Sequence, residues 1–223
     1  MRCNLIPHPS DPARRALLLG GAAGALLLAA GCSRRSPPKG TPLSPQATLL
    51  CLGDSLTFGM GAAPEASYPS QLAALTGHTA HNAGVNGDTA EGALARLPAL
   101  LETHTPGLVL VSIGGNDFLR KRPLEGTRAA LRQIVQAAAA SAQVVLIAQP
   151  QPAFLAAAVG SLNDHPVYAD VATETGTALY AKGWSAVLSR PALRSDPIHA
   201  NAEGYRQFAA TLADWLREQR FLP

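Results

Sequence analysis

Leu49-Leu50-Cys51-Leu52-Gly53-Asp54-Ser55-Leu56-Thr57-Phe58-Gly59 is the stretch that decides the fold. An unbroken apolar run stops at a glycine, and a carboxylate and a hydroxyl follow. A short continuous apolar run suits a strand buried on both faces, as in a parallel sheet. In an open α/β sheet the carboxyl ends of the strands collect ligands and chemistry, because the chain turns there and presents backbone N–H groups. Ser55 stands at such an end. Gly-Asp-Ser and Thr-Phe-Gly are also ordinary turn material, so the rest of the chain decides what the serine does.

Outward from this stretch, Leu108 to Ile113 and Val144 to Ala148 repeat the pattern, with weaker runs at Thr79 to Val85 and Ala178 to Ala181. Helical periodicity fills the intervals at Tyr68 to Leu75, Thr89 to Glu102 and Gly126 to Ala140. The alternation β-α-β-α predicts an α/β fold with a parallel sheet. Asn201 to Arg217 closes the chain as an amphipathic helix, capped by Asn201, with Tyr205, Phe208, Leu212, Trp215 and Leu216 on the face expected to join the core. Gln149 to Pro166 carries little pattern and reads as a long loop, including Phe154, Leu155 and Val159 as a possible wall of a binding pocket.

The amino terminus reads differently. Arg14 and Arg15 precede an apolar run from Ala16 to Ala30, shorter than the roughly 20 residues that cross a bilayer, so residues 1 to 31 are expected to be an export signal. Ala29-Ala30-Gly31-Cys32 resembles the lipobox of bacterial lipoproteins, which implies lipidation of Cys32 and an exported protein anchored to a membrane facing the periplasm. The paired arginines resemble a twin-arginine signal, but Ala13 and Leu17 depart from it. Residues 32 to 46, with Pro37, Pro38, Pro42 and Pro45, read as a tether; its stretch from Ser33 to Gln46, extended at about 3.1 Å per residue, would reach up to roughly 40 Å. The folded domain is then expected over residues 47 to 223.

The formal charge of +3 falls to +1 once Arg2, Arg14, Arg15 and Asp11 leave with the signal, so the basic pI carries no argument for a nucleic-acid partner. With Cys3 in the signal and Cys32 lipidated, Cys51 remains alone in a strand. It cannot form an internal disulfide and is expected to be an inert core residue.

Four polar blocks fall at strand ends or helix starts: Ser55; Asn82-Ala83-Gly84-Val85-Asn86-Gly87-Asp88-Thr89; Gly114-Gly115-Asn116-Asp117; and Asp196-Pro197-Ile198-His199. In a doubly wound sheet they converge on one edge. A serine nucleophile needs a base, the base needs an orienting carboxylate, and the oxyanion needs fixed donors. Ser55, His199 and Asp196 fit the first three roles. The N–H of Ser55, the N–H of Gly87 and the side-chain amide of Asn116 fit the donors, with Gly84 as the competing glycine. Asp88 could alternatively serve as a helix cap. Asp164 and His165 form a second acid-base pair without surrounding motif. His78 and His81 have metal-like spacing but no further ligand cluster.

Taken together, the blocks resemble the SGNH hydrolase family, or GDSL esterases, whose named Ser, Gly, Asn and His correspond to Ser55, Gly87, Asn116 and His199. Asn86-Gly87-Asp88-Thr89, Gly92 to Leu101 and Gly114-Gly115-Asn116-Asp117 resemble its bacterial thioesterase I, lysophospholipase and arylesterase branch most closely. Ala200 departs from the Pro that often follows the histidine. The resemblance implies a three-layer α/β/α, flavodoxin-like fold with a five-stranded parallel sheet, no metal and no cofactor. It also implies that the loop after Asn116 walls the acyl site, with Phe118, Leu119 and Arg120 as substrate-binding residues and Arg120, Lys121 and Arg122 available to an anionic head group. The expected activity is hydrolysis of short- to medium-chain acyl esters, lysophospholipids or thioesters through an acyl-Ser55 intermediate. Two alternatives are a carbohydrate O-acetylesterase with the same machinery, and a non-catalytic flavodoxin-like binding lipoprotein holding phosphate at Gly53 to Gly59.

Overall fold

A computed structural model of the chain describes residues 38–152 and 161–223. The expected signal, Cys32, and the loop residues Phe154, Leu155 and Val159 lie outside the described residues.

Five parallel strands form one sheet: β1 (Leu49–Gly53), β2 (Ala80–Gly84), β3 (Leu108–Ser112), β4 (Gln143–Ile147) and β5 (Ala178–Tyr180). Their spatial order is β2-β1-β3-β4-β5, so β1 is where the winding reverses direction. A crevice opens above such a point, between the connections that leave toward opposite sides. Successive strand residues point to opposite faces, and the core divides accordingly. Leu49, Cys51, Leu108, Leu110, Val145 and Ile147 pack on one face against α2 (Tyr68–Thr76), α7 (Gly183–Leu188) and α8 (Ala202–Glu218). Leu50, Leu52, Val109, Val111, Val144 and Leu146 pack on the other against α3 (Ala90–His104), α5 (Leu124–Ala139) and α6 (Val167–Thr175). The architecture is three-layered α/β/α.

The two short helices α1 (Ser55–Phe58) and α4 (Gly115–Leu119) lie at the carboxyl edge and carry polar blocks. α8 forms as its periodicity predicts: Asn201 accepts the Gly204 N–H at 3.0 Å, and Tyr205, Phe208, Leu212 and Leu216 are fully buried. Each such burial contributes roughly 1.5–3 kcal/mol. The aromatics of this face are core: Phe208 stacks on Trp184 at 3.6 Å between ring centroids.

The packed chain begins earlier than Ala47. Gly40 donates to the Gln219 carbonyl at 2.8 Å and Leu43 to that of Phe221 at 3.0 Å, while Thr41 exchanges two hydrogen bonds with the Gln143 side chain. Leu43 itself is buried. The proline-rich composition reads as linker, but these backbone groups pair with the carboxyl-terminal tail. The strap lies at the amino ends of the strands, opposite the polar blocks.

Candidate active site

Ser55 opens α1 directly after β1, and its Oγ lies 2.9 Å from His199 Nε2. His199 Nδ1 lies 2.6 Å from Asp196 Oδ2. An ionised carboxylate only accepts, so in the neutral ring Nδ1 carries the proton and Nε2 presents its lone pair to the hydroxyl. Asp196 Oδ1 also accepts the N–H groups of Ile198 and His199, at 2.8 and 2.9 Å. Partial burial pushes the Asp196 carboxyl up, but the hydrogen bonds from the His199 ring and the Ile198 N–H outweigh it and hold its pKa below the ordinary value. Ala200 is buried, and the loop is fixed by an antiparallel bridge between Arg194 and Ala200 and by the Ser195 N–H donating to the His199 carbonyl. These bonds restrain the histidine without a following proline.

The expected donors line the same cleft as His199. Asn116 Nδ2 donates to the Asp88 carbonyl at 3.0 Å, which fixes the amide. Gly87 has φ +74°, a left-handed conformation that side chains disfavour, and it lines the cleft with Ser55, Asn116 and His199. The N–H groups of Ser55 and Gly87 have no acceptor among the described residues. Gly84 is not part of the lining. A Cβ there would lie 2.1 Å from the Phe58 nitrogen, so that glycine serves the packing of β2 on α1.

The cleft encloses about 230 Å³, with Leu56, Met60, Leu119, Leu162, Leu188 and Ile198 among its apolar walls. Leu119 alone of the three expected substrate-binding residues faces it. The Phe118 ring instead stacks on His165, with centroids 4.0 Å apart, and packs against the core. Arg120 stands at the edge, its guanidinium 3.2 Å from where a Gly87 Cβ would be. Phe118 and Leu119 together line a neighbouring depression with Lys121 and Arg122, which adjoins the cleft at Leu119, Gln151 and Pro152. Arg122 is engaged by Glu91 at 2.7 Å.

Other expectations are settled by contacts. Thr89, not Asp88, caps α3, accepting the Gly92 N–H; Asp88 pairs with Arg96 at 2.9 Å, and Arg96 in turn holds the Gly53 carbonyl. Asp164 binds the Lys182 N–H and the Ser185 hydroxyl, and His165 accepts the Val167 N–H. Both groups are therefore structural. His78 bonds the Ala47 carbonyl while His81 stacks on His104, so the two do not form a joint site. Burial pushes the Cys51 thiol up to about 12, which leaves it protonated.

Two residues outside the expected set underlie the site. Asp54 is buried; its Oδ1 accepts the Leu56 N–H at 3.0 Å and its Oδ2 the Gln149 amide at 2.9 Å. That carboxylate occupies the start of the four-residue α1, so no phosphate cradle exists at Gly53 to Gly59. Asp54 was visible in the Gly-Asp-Ser run as turn chemistry, whereas Gln149 sits in a patternless stretch.

A hydrogen-bonded serine, histidine and aspartate at the carboxyl edge of a parallel sheet, beside two backbone N–H groups without acceptors among the described residues, is a serine-hydrolase arrangement. Comparison with known proteins agrees. The model of the GDSL-like Lipase/Acylhydrolase family matches residues 51–207. The chain is 36% identical over 176 residues to thioesterase 1/protease 1/lysophospholipase L1 of Escherichia coli K12, covering 77% of this chain and 82% of that protein. The psychrotrophic esterase EstA from Pseudoalteromonas sp. superposes with a TM-score of 0.67 at 25% identity, over 78% of this chain and 98% of that one. The crystal structure of TesA gives a TM-score of 0.67 at 30% identity, over 77% and 99%. The chain belongs to the GDSL-like lipase/acylhydrolase family of SGNH hydrolases and is a carboxylic ester hydrolase.

Burial pushes the Asp54 carboxyl from 3.8 up to about 6, against the opposing hydrogen bonds from Gln149 and Leu56. Between those values the folded protein binds a proton that the unfolded chain does not, so this group makes the fold more stable as pH falls. His81 and His165 act oppositely, since burial lowers both, His104 adding to the effect at His81. The prediction is therefore a difference. From pH 7 to pH 5, wild type should gain about 1 kcal/mol of unfolding free energy relative to Asp54→Asn in urea titrations. Parallel pH profiles for the two proteins would show that Asp54 is not the titrating group.

Proposed function

We propose that the protein is a serine esterase that hydrolyses short- to medium-chain acyl esters, with arylester, lysophospholipid and thioester substrates in its range, through an acyl-Ser55 intermediate. The observation that carries this reading is the 2.9 Å contact between Ser55 Oγ and a His199 ring held by Asp196. Nε2 takes the Ser55 proton as Oγ bonds to the substrate carbonyl carbon, and Asp196 stabilises the imidazolium. The oxyanion faces the N–H groups of Ser55 and Gly87 and the Asn116 amide. Collapse expels the alcohol or thiol, which leaves with the proton from Nε2. Water then repeats the path and releases the acid, restoring Ser55.

A lining of leucine, isoleucine and methionine side chains favours an acyl chain over the carbohydrate alternative. The lysophospholipid and thioester readings draw support from the name of the Escherichia coli relative. Ser55→Ala should lose labelling by a fluorophosphonate, and Asn116→Ala should lose roughly a hundred- to a thousandfold in kcat on p-nitrophenyl butyrate while staying folded. Retained labelling, or an unchanged kcat, contradicts the respective role.

We further propose that Cys32 carries a lipid that holds the mature protein at a membrane facing the periplasm, on the strength of the Ala29-Ala30-Gly31-Cys32 sequence. Cys32→Ser should move the protein from the membrane fraction to the soluble fraction. A variant that stays with the membrane removes this anchor.

A further inference from the structure

Gln149 follows β4 by two residues, is 1% exposed, and touches the chain beside both halves of the site. Its Nε2 donates to Asp54 Oδ2 at 2.9 Å and to the Ser112 carbonyl at 3.1 Å, with Ser112 Oγ at 3.3 Å. Its Oε1 accepts the Gly115 N–H at 2.6 Å. The amide has one orientation that works, because the Gly115 N–H only donates and the Ser112 carbonyl only accepts. Asp54 immediately precedes Ser55, and Gly115 immediately precedes Asn116. One rigid amide thus spans the nucleophile turn and the donor turn. Its backbone is pinned as well, since its carbonyl accepts the His165 N–H at 3.0 Å.

We propose that Gln149 is a positioning residue for the hydrolytic reaction: it sets the Asn116 donor in register with Ser55, so that nucleophile and donor meet the same carbonyl group. The inference rests on the roles proposed for Ser55 and Asn116. Although Gln149 lies under the cleft, both N–H groups of its amide are engaged inward and its oxygen is taken by Gly115, so substrate gains no bond from it. Ser112 extends the brace, because its Oγ accepts the Trp184 indole N–H at 3.1 Å and links the amide to the buried aromatic cluster. Gly115 fits the contact closely. A Cβ there would stand 2.4 Å from Gln149 Oε1. Misplacement of a reacting group by about 1 Å can cost on the order of a hundredfold in rate, so a brace between two turns acts on turnover more than on binding.

The test is a double-mutant cycle in the full-length protein, with Gln149→Ala, Asn116→Ala and the double variant assayed on p-nitrophenyl butyrate. Gln149→Ala alone should lower kcat about ten- to a hundredfold and change KM less than about threefold. In the Asn116→Ala background the same substitution should cost no more than about threefold, because no donor is left to position. Equal losses in both backgrounds overturn the proposal. An unchanged kcat in Asn116→Ala itself would instead overturn the role of Asn116, which keeps the two failures separate. Gln149→Glu supplies a second readout that survives a folding defect in the alanine variant. It retains an acceptor for Gly115 but sets two carboxyl groups against each other at Asp54, which a shared proton can bridge. Its kcat relative to wild type should rise as pH is lowered from 8 to 5.5. A ratio that does not change with pH contradicts the brace.

Discussion

The site depends on the level ending of three parallel strands. β1 pairs with β2 and β3 so that Gly53 lies opposite Gly84 on one side and Ser112 on the other. The connections leaving these strands therefore start at one height. They deliver Ser55, then Gly87, then Asn116 to a single crevice where the winding of the sheet reverses. A slip of one residue between β1 and β3 would turn each β3 side chain from the core layer it fits to the other one. The apolar runs that build the two core layers are thus also what holds Ser55 and Asn116 in register. His199 arrives separately, just before α8, whose buried aromatic face fixes that helix against the sheet.

Polar groups beneath the cleft are bonded inward. Asp54 caps α1 and receives Gln149, Asp117 accepts the Ala90 N–H at the start of α3, and Asp88 pairs with Arg96. No buried side-chain nitrogen or oxygen lacks a partner among the described residues. Asp54 is the costly member. Raising its pKa from 3.8 to about 6 corresponds to about 3 kcal/mol for keeping it ionised at neutral pH. In return the turn that carries Ser55 is tied to the ends of β3 and β4.

The sequence made the sheet legible where strands are buried on both faces. β1, β3 and β4 are nearly unbroken runs of Leu, Val and Ile, whereas β2, an edge strand with half-buried positions, contains His81 and Asn82 and shows only weakly. α6 and α7 were not legible. Six residues give α7 too few turns for a periodicity, and it follows Lys182 in a left-handed conformation, while α6 carries the β-branched Val167, Val171, Thr173 and Thr175, which favour helix weakly. The polar blocks showed which residues meet, because each carries turn or capping chemistry of its own. Gln149 carries none, and its contacts reach residues 34 and 95 positions away. The strap from Gly40 to Leu43 was hidden for a related reason, since backbone pairing with the tail leaves no side-chain pattern.

The central claim, that Ser55 carries the acyl group, is tested most directly by trapping that group. Acid quenching during steady-state hydrolysis of p-nitrophenyl butyrate, followed by intact-mass measurement and peptide mapping, should find one butyryl group on the peptide containing Ser55. The adduct should be absent from Ser55→Ala. A butyryl group on another residue, or turnover by Ser55→Ala at the wild-type rate, would contradict the account.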